Sequence, residues 1–243
     1  MAPMPNFPIL DQAALALFLL VWIAYQPALK WLTRRRRRTI NSDLTVIRAA
    51  WMRNMAERDN RFLDGQLLGH VLNSASFFAS TSLIVMAAVA GALFGGEAAY
   101  RGLKAAPLLA AAPRLLLEIK LGLVLITLGR GLLDFIWSIR QLNYTLALIG
   151  SAPPLDSRRE VLRAYGQAAA DILNPALSSF NSGVRGYYFA LAAAAWLLGP
   201  VPMIVGVLGS TVLLVLRQIA SSSAAAVARV RDLLDQAEAA PED

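Results

Sequence analysis

Residues 13–38 read AALALFLLVWIAYQPALKWLTRRRRR, a long apolar run that ends in five consecutive arginines. From Leu15 to Leu32, and upstream to Ile9 with only Asp11 and Gln12 as polar interruptions, the run is long enough to cross a hydrocarbon core of about 30 Å. Trp22, Tyr25 and Trp31 supply aromatic anchors toward its end. A secretory signal carries its charges before the apolar run and a small-residue cleavage site after it, so this order predicts a retained anchor. The arginines place the trailing end in the cytoplasm and the N-terminus outside. Arg34, Arg35, Arg36, Arg37 and Arg38 are then expected to contact anionic headgroups, which attract about 1 kcal/mol per surface charge.

Composition agrees with a membrane setting. Apolar residues make up 57% of the 243-residue chain and charged residues 16%, where soluble domains carry about 25% charged residues. That excess of apolar side chains argues against a disordered chain and an ordinary soluble enzyme. With no Cys and one His, disulfide frameworks, thiolate metal sites and two-His metal sites are excluded. The net charge of +7 is explained by topology and lipid attraction, so no nucleic-acid partner is expected.

Further spans are expected at about 74–94, stopped by Gly95-Gly96, and at about 114–139. The opening of the second is rich in small hydroxyl residues, Ser74, Ser76, Ser80, Thr81 and Ser82, which permit close helix contact in lipid. Two amphipathic cytoplasmic helices are predicted. In the first, about 43–66, Leu44, Ile47, Trp51, Met55 and Phe62 recur at helical spacing; it either packs on its own protein or lies on the membrane surface, where Arg48 and Arg58 could snorkel toward headgroups. The second, about 158–173, opens on the capping box Ser157-Arg158-Arg159-Glu160 and is expected to stop before Asn174-Pro175. Ser178 to Gly186 then reads as a small polar turn, with a re-entrant loop as the alternative.

Tyr187 to Leu216 is 30 residues, about 45 Å as one straight helix. Gly199-Pro200-Val201-Pro202 interrupts it, which favours a hairpin of two segments at about 184–199 and 201–218 over a single span. The hairpin also keeps Arg217, Arg229 and Arg231 on the cytoplasmic side. The expected fold is all-α, a polytopic transmembrane helix bundle of four to five membrane segments, with residues 1–220 as the membrane domain. The tail 221–243 is expected to be a cytoplasmic helix fraying into a partly disordered acidic end.

Several dispersed blocks carry a family resemblance. They are Trp51-Met52-Arg53 with Arg58, Asp59 and Arg61; Ser76-Phe77-Phe78-Ala79-Ser80-Thr81-Ser82; Asn143-Tyr144; Arg185-Gly186-Tyr187-Tyr188-Phe189-Ala190; and Gly199-Pro200-Val201-Pro202-Met203. Over about residues 10–220 the chain resembles a bacterial and plant family of multi-pass membrane proteins known only as domain of unknown function 599. The resemblance implies an integral membrane protein and carries over no activity and no functional residue.

The third span holds the most suggestive chemistry. At 100° per residue, Lys120, Thr127, Arg130 and Asp134 fall within an arc of roughly 80°, forming one polar stripe. Gly122 and Gly129 lie nearly opposite and are candidates for close helix packing. Ionisable residues in a membrane usually face a protein interior or a water-filled cavity. The stripe therefore predicts either a polar path or a set of ion pairs that fix packing; Arg114/Glu118 and Arg130/Asp134, at i,i+4, are placed to pair locally. His70, just before the second span, is a candidate pH or proton site. Asn174-Pro175-Ala176 is half of a water-channel signature whose twofold arrangement is missing.

No phosphate-cradling loop, metal cluster or nucleophile elbow is present in the sequence, so no catalysis and no cofactor are expected. Two functions compete: a homo-oligomeric inner-membrane channel or transport-related protein lined by the third span, and a non-catalytic scaffold or accessory subunit. The second would bind a partner membrane protein or anionic lipid through glycine faces and the cytoplasmic helices.

Overall fold

The computed structural model describes residues 8–36, 39–107, 109, 112–219 and 221–239, and side chains among these except at 29–36, 219, 238 and 239. The described chain is all-α. Its helices are α1 (Ile9–Arg36), α2 (Ile40–Ala56), α3 (Phe62–Phe94), α4 (Gly96–Lys104), α5 (Arg114–Gly150), α6 (Arg159–Ala194), α7 (Pro200–Ile219) and α8 (Ser222–Ala239), with a 3-10 turn at Ala195–Leu198 before α7. Three helical stretches are long and apolar enough to cross a membrane: Ile9–Ala28, Phe62–Phe94 and the stretch beginning at Pro200. The arginine run falls outside what is described, with Arg37 and Arg38 beyond α1 and the side chains of Arg34 to Arg36 undescribed.

The chain divides into two compact units that share the long helices. One comprises 1–31, 79–133 and 182–214, the other 32–78, 134–181 and 215–243. Most of the charged residues belong to the second. Outside the connection around α4, the Asp, Glu, Lys and Arg of the first unit are only Asp11, Lys30, Arg114, Glu118, Lys120, Arg130 and Arg185.

In the first unit, the segment 187–214 folds back on itself. Gly199 has φ 132°, a backbone that L side chains rarely adopt, and α7 starts at the next residue, Pro200. The arms lie against each other: a Cβ on Gly206 would sit 3.2 Å from the Ala192 Cα, and Ser210 Oγ donates to the Tyr188 carbonyl at 3.4 Å. The arms reverse direction as the Gly-Pro-x-Pro sequence predicts. A second close approach joins α5 to α6, where a Cβ on Gly186 would lie 3.2 Å from the Gly131 Cα. Ser82, 1% exposed, and the Tyr187 hydroxyl meet at 2.8 Å and pin α3 to α6 nearby.

The second unit has a continuous apolar core in which Met52 and Met55 of α2, Leu68 of α3, Leu142 of α5 and Leu173 of α6 are fully buried. Two helix boundaries depart from the sequence reading. The helix expected over 43–66 stops at Ala56, and a break at 57–61 turns the chain into α3. Asp64, at 0% exposure, holds that corner by accepting from Trp51 Nε1 at 2.7 Å and from Arg58 at 2.7 and 2.8 Å. Arg61 donates to the carbonyls of Met55, Ala56, Ala152 and Pro153, so it caps the end of α2 and binds the α5–α6 turn. Arg58 is thus committed to a carboxylate rather than turned to lipid.

The other departure is in α6, which runs through Pro175 to Ala194, so the turn or re-entrant loop expected at 178–186 is helical. Leu173, Ala176, Leu177 and Phe180 pack into the core from consecutive turns. Their burial outweighs the bias against helix before a proline. Arg48 is half-buried on α2, as a helix packed on its own protein requires, and burial pushes its guanidinium pKa below the ordinary value.

The C-terminal α8 packs on α2. Asp43, 2% exposed, pairs with Arg231 at 2.8 Å; the hydrogen bond that Arg231 donates to this carboxylate raises the Arg231 pKa. The described tail is helical to Ala239, and the acidic end expected to fray, 240–243, lies outside the described residues.

Candidate functional site

Three buried polar side chains meet in the first unit. Asp11, in the first turn of α1, is 6% exposed; Lys120 on α5 is 5% exposed; Trp196, in the 3-10 turn, is fully buried. Trp196 Nε1 donates to Asp11 Oδ1 at 2.7 Å, and Lys120 Nζ lies 3.5 Å from the same oxygen. The ammonium also sits 5.5 Å from the centre of the Trp196 ring. The carboxylate therefore receives both an indole hydrogen bond and a counter-charge. The ammonium in turn gains the negative face of an aromatic ring, an attraction of about 2 kcal/mol when desolvated. The helix dipole at the start of α1 adds to the stabilisation of Asp11. In surroundings this apolar, an unpaired ion would not persist, so the cluster is a mutual neutralisation that ties three segments together.

This arrangement redistributes the stripe read from the sequence. Lys120 and Thr127 are buried, Thr127 donating back to the Leu123 carbonyl at 2.7 Å. Arg130 is exposed and Asp134 half-buried. The 80° arc straddles the border between the packed and open faces of α5, because the packed face is centred on Val124, Gly131 and Phe135. Gly122 faces open space and Gly129 meets only the tip of Met86 at 3.5 Å; the close approach falls at Gly131 instead. Glu118 pairs with Arg114 at 2.8 Å as the i,i+4 spacing predicts, and burial is slight there.

Asp11 and Trp196 were the partners that the sequence reading did not connect to Lys120. One signal was available: an aspartate at the head of an apolar span is costly unless something nearby answers its charge. His70 is exposed on α3, and its backbone carbonyl accepts from Ser74 Oγ. Among the described residues no three of His, Asp and Glu gather closely enough to hold a metal ion.

A family model described as "Protein of unknown function, DUF599" matches residues 13–223. The chain belongs to that family. The match to DUF599 takes in both units, from α1 to the first turn of α8. No curated protein and no solved structure matches the chain.

A second feature of this DUF599 chain concerns α3 rather than the charge cluster. Only 11% of its most apolar 18-residue window is buried. On its open side, Ser80, Ile84, Ala87 and Gly91 succeed one another at spacings of four, three and four, all exposed, and nothing lies within 4 Å of a Cβ placed on Gly91. Ile84 projects from this row, but Ala87 and Gly91, four residues apart, are a small-residue pair beside which another helix can pack closely.

Proposed function

We propose that this chain is a non-catalytic scaffold of the bacterial inner membrane that associates with copies of itself through the open face of α3. The observation that carries the reading is that face: small residues at helical spacing on the most apolar of the long helices, with open space above its glycine. In lipid, helices associate by close packing rather than by hydrophobic transfer, so small exposed residues favour assembly. Closed symmetry is the usual form for such self-association.

In this reading five segments cross or enter the bilayer: α1, α3 from about residue 74, α5 to about residue 139, and the two arms of the 184–218 hairpin. The N-terminus is outside. The arginine-rich end of α1, α2, the first half of α6 and α8 are cytoplasmic, where the basic residues concentrate as the positive-inside rule requires. Anionic lipids attend the cytoplasmic surface as further partners.

The absence of cysteine from the chain makes the test direct. Single cysteines at Ser80, Ala87 or Gly91 are expected to form disulfide-linked dimers in oxidised native membranes. A cysteine at Val124, on the packed face of α5, is expected to form none. Equal cross-linking from both positions, or none from α3, contradicts the reading.

A conduction or transport role lined by α5 is the second reading, favoured by the burial of Lys120 and Thr127 in the first unit. It requires that Thr127→Val alter solute flux in vesicles while assembly persists, whereas the scaffold requires no intrinsic flux.

A further inference from the structure

The second unit contains an open groove of about 380 Å³ between the start of α3 and the C-terminal half of α5. Gly65 and Gly69 form its floor, and a Cβ at either would meet nothing within 4 Å. Phe62 and Leu146 supply apolar walls, Phe62 being 71% exposed. Gln66, His70 and Asn73 line it from one face of α3, at spacings of four and three. Among the described residues, none of these three side chains makes a hydrogen bond to the protein.

The chemistry of this lining is selective. It holds no carboxylate, ammonium or guanidinium, which argues against a strongly charged ligand as the main determinant. Gln and Asn each present two donors and an acceptor, and neutral imidazole presents one of each. That set matches hydroxyl groups, which donate and accept together. The exposed Phe62 ring offers an apolar face to the C–H surface of a sugar or polyol, and a glycine floor lets such a ring approach the backbone. The volume lies at the low end of small-molecule pockets, enough for a headgroup but not for acyl chains.

We infer that this groove binds an uncharged polyhydroxyl group, a sugar or polyol, presented by a membrane lipid. The groove ends at Asn73, next to where the apolar run of α3 begins at Ser74, so a bound headgroup stands at the bilayer surface with its chains starting beside the exposed Phe77. The inference uses the membrane assignment of α3 but not its lateral association.

The test uses the full chain in phosphatidylcholine nanodiscs, with insertion scored separately, and native mass spectrometry to count retained lipid. Glucosyl-diacylglycerol is expected to remain bound, and phosphatidic acid, which has the same chains and a charged phosphate, is not. Gly69→Leu fills the groove from an open position, and Gln66→Leu removes its amide; each is expected to lower glycolipid retention about tenfold without lowering the melting temperature. Displacement of the lipid by free glucose supports the same hydroxyl chemistry and assigns a soluble sugar as a second source. Equal retention of phosphatidic acid, or unchanged glycolipid retention in both variants, overturns the inference. An inserted chain that keeps no glycolipid also overturns it, leaving the membrane assignment intact.

Discussion

Lys120→Met is expected to destabilise the protein by about 3–5 kcal/mol, because it leaves the Asp11 carboxylate buried without its counter-charge. The cost comes from the orphaned ion rather than from the lost attraction. Asp11→Asn in the same chain removes the charge and keeps an oxygen that accepts from Trp196 Nε1. The double variant Asp11→Asn/Lys120→Met is therefore expected to regain most of the loss, since replacing both members of a buried pair is often close to neutral. Thermal unfolding of the four chains in nanodiscs forms a double-mutant cycle. Additive losses would mean that the pair does not couple, and the cluster would then not be the tie between α1, α5 and the turn before α7.

The other large effect belongs to the second unit. A Cβ on Gly166 would lie 2.6 Å from the Arg53 Cα and 2.7 Å from the Met52 carbonyl oxygen. Both are backbone atoms, so no side chain can swing aside to relieve the clash. Gly166→Ala is expected to cost about 3 kcal/mol by forcing α6 away from α2, despite the better helix propensity of alanine. Gly122→Ala is the control, as its Cβ meets nothing within 4 Å, and it is expected to leave the melting temperature unchanged or slightly higher. A Gly166→Ala melting temperature equal to that of Gly122→Ala would contradict the α2–α6 packing.

Sequence patterning carried the all-α class and the long apolar helices, because both follow from composition and run length. It also located the reversal at Gly199-Pro200, where two local restrictions coincide. It failed where packing decides. The continuation of α6 through Pro175 depends on Leu173, Ala176 and Phe180 reaching a common core, which no local propensity encodes. The corner at 57–61 depends on Asp64 gathering Trp51 and Arg58, residues whose spacing alone reads as one continuing helix.

The charge cluster was half legible. Helical spacing put Lys120 on a polar stripe, but its partners lie 109 residues upstream and 76 downstream, beyond the reach of any periodicity. The same spacing grouped Arg130 with Lys120, although the border between packed and open faces runs between them. Gly131 and Gly186 made the close contact because they are opposed across two helices. Gly122 and Gly129, although aligned on one helix, have no such counterpart.

Self-association through α3 is the claim on which the functional account rests. The most direct test is native mass spectrometry of the chain released from native-membrane nanodiscs, comparing wild type with Ala87→Leu/Gly91→Leu. Both positions are open, so the double variant is expected to fold as wild type does. The account predicts a discrete homo-oligomer for wild type and a monomer for the variant, at unchanged melting temperature. A wild-type monomer, or an oligomer that survives both leucines, would contradict it.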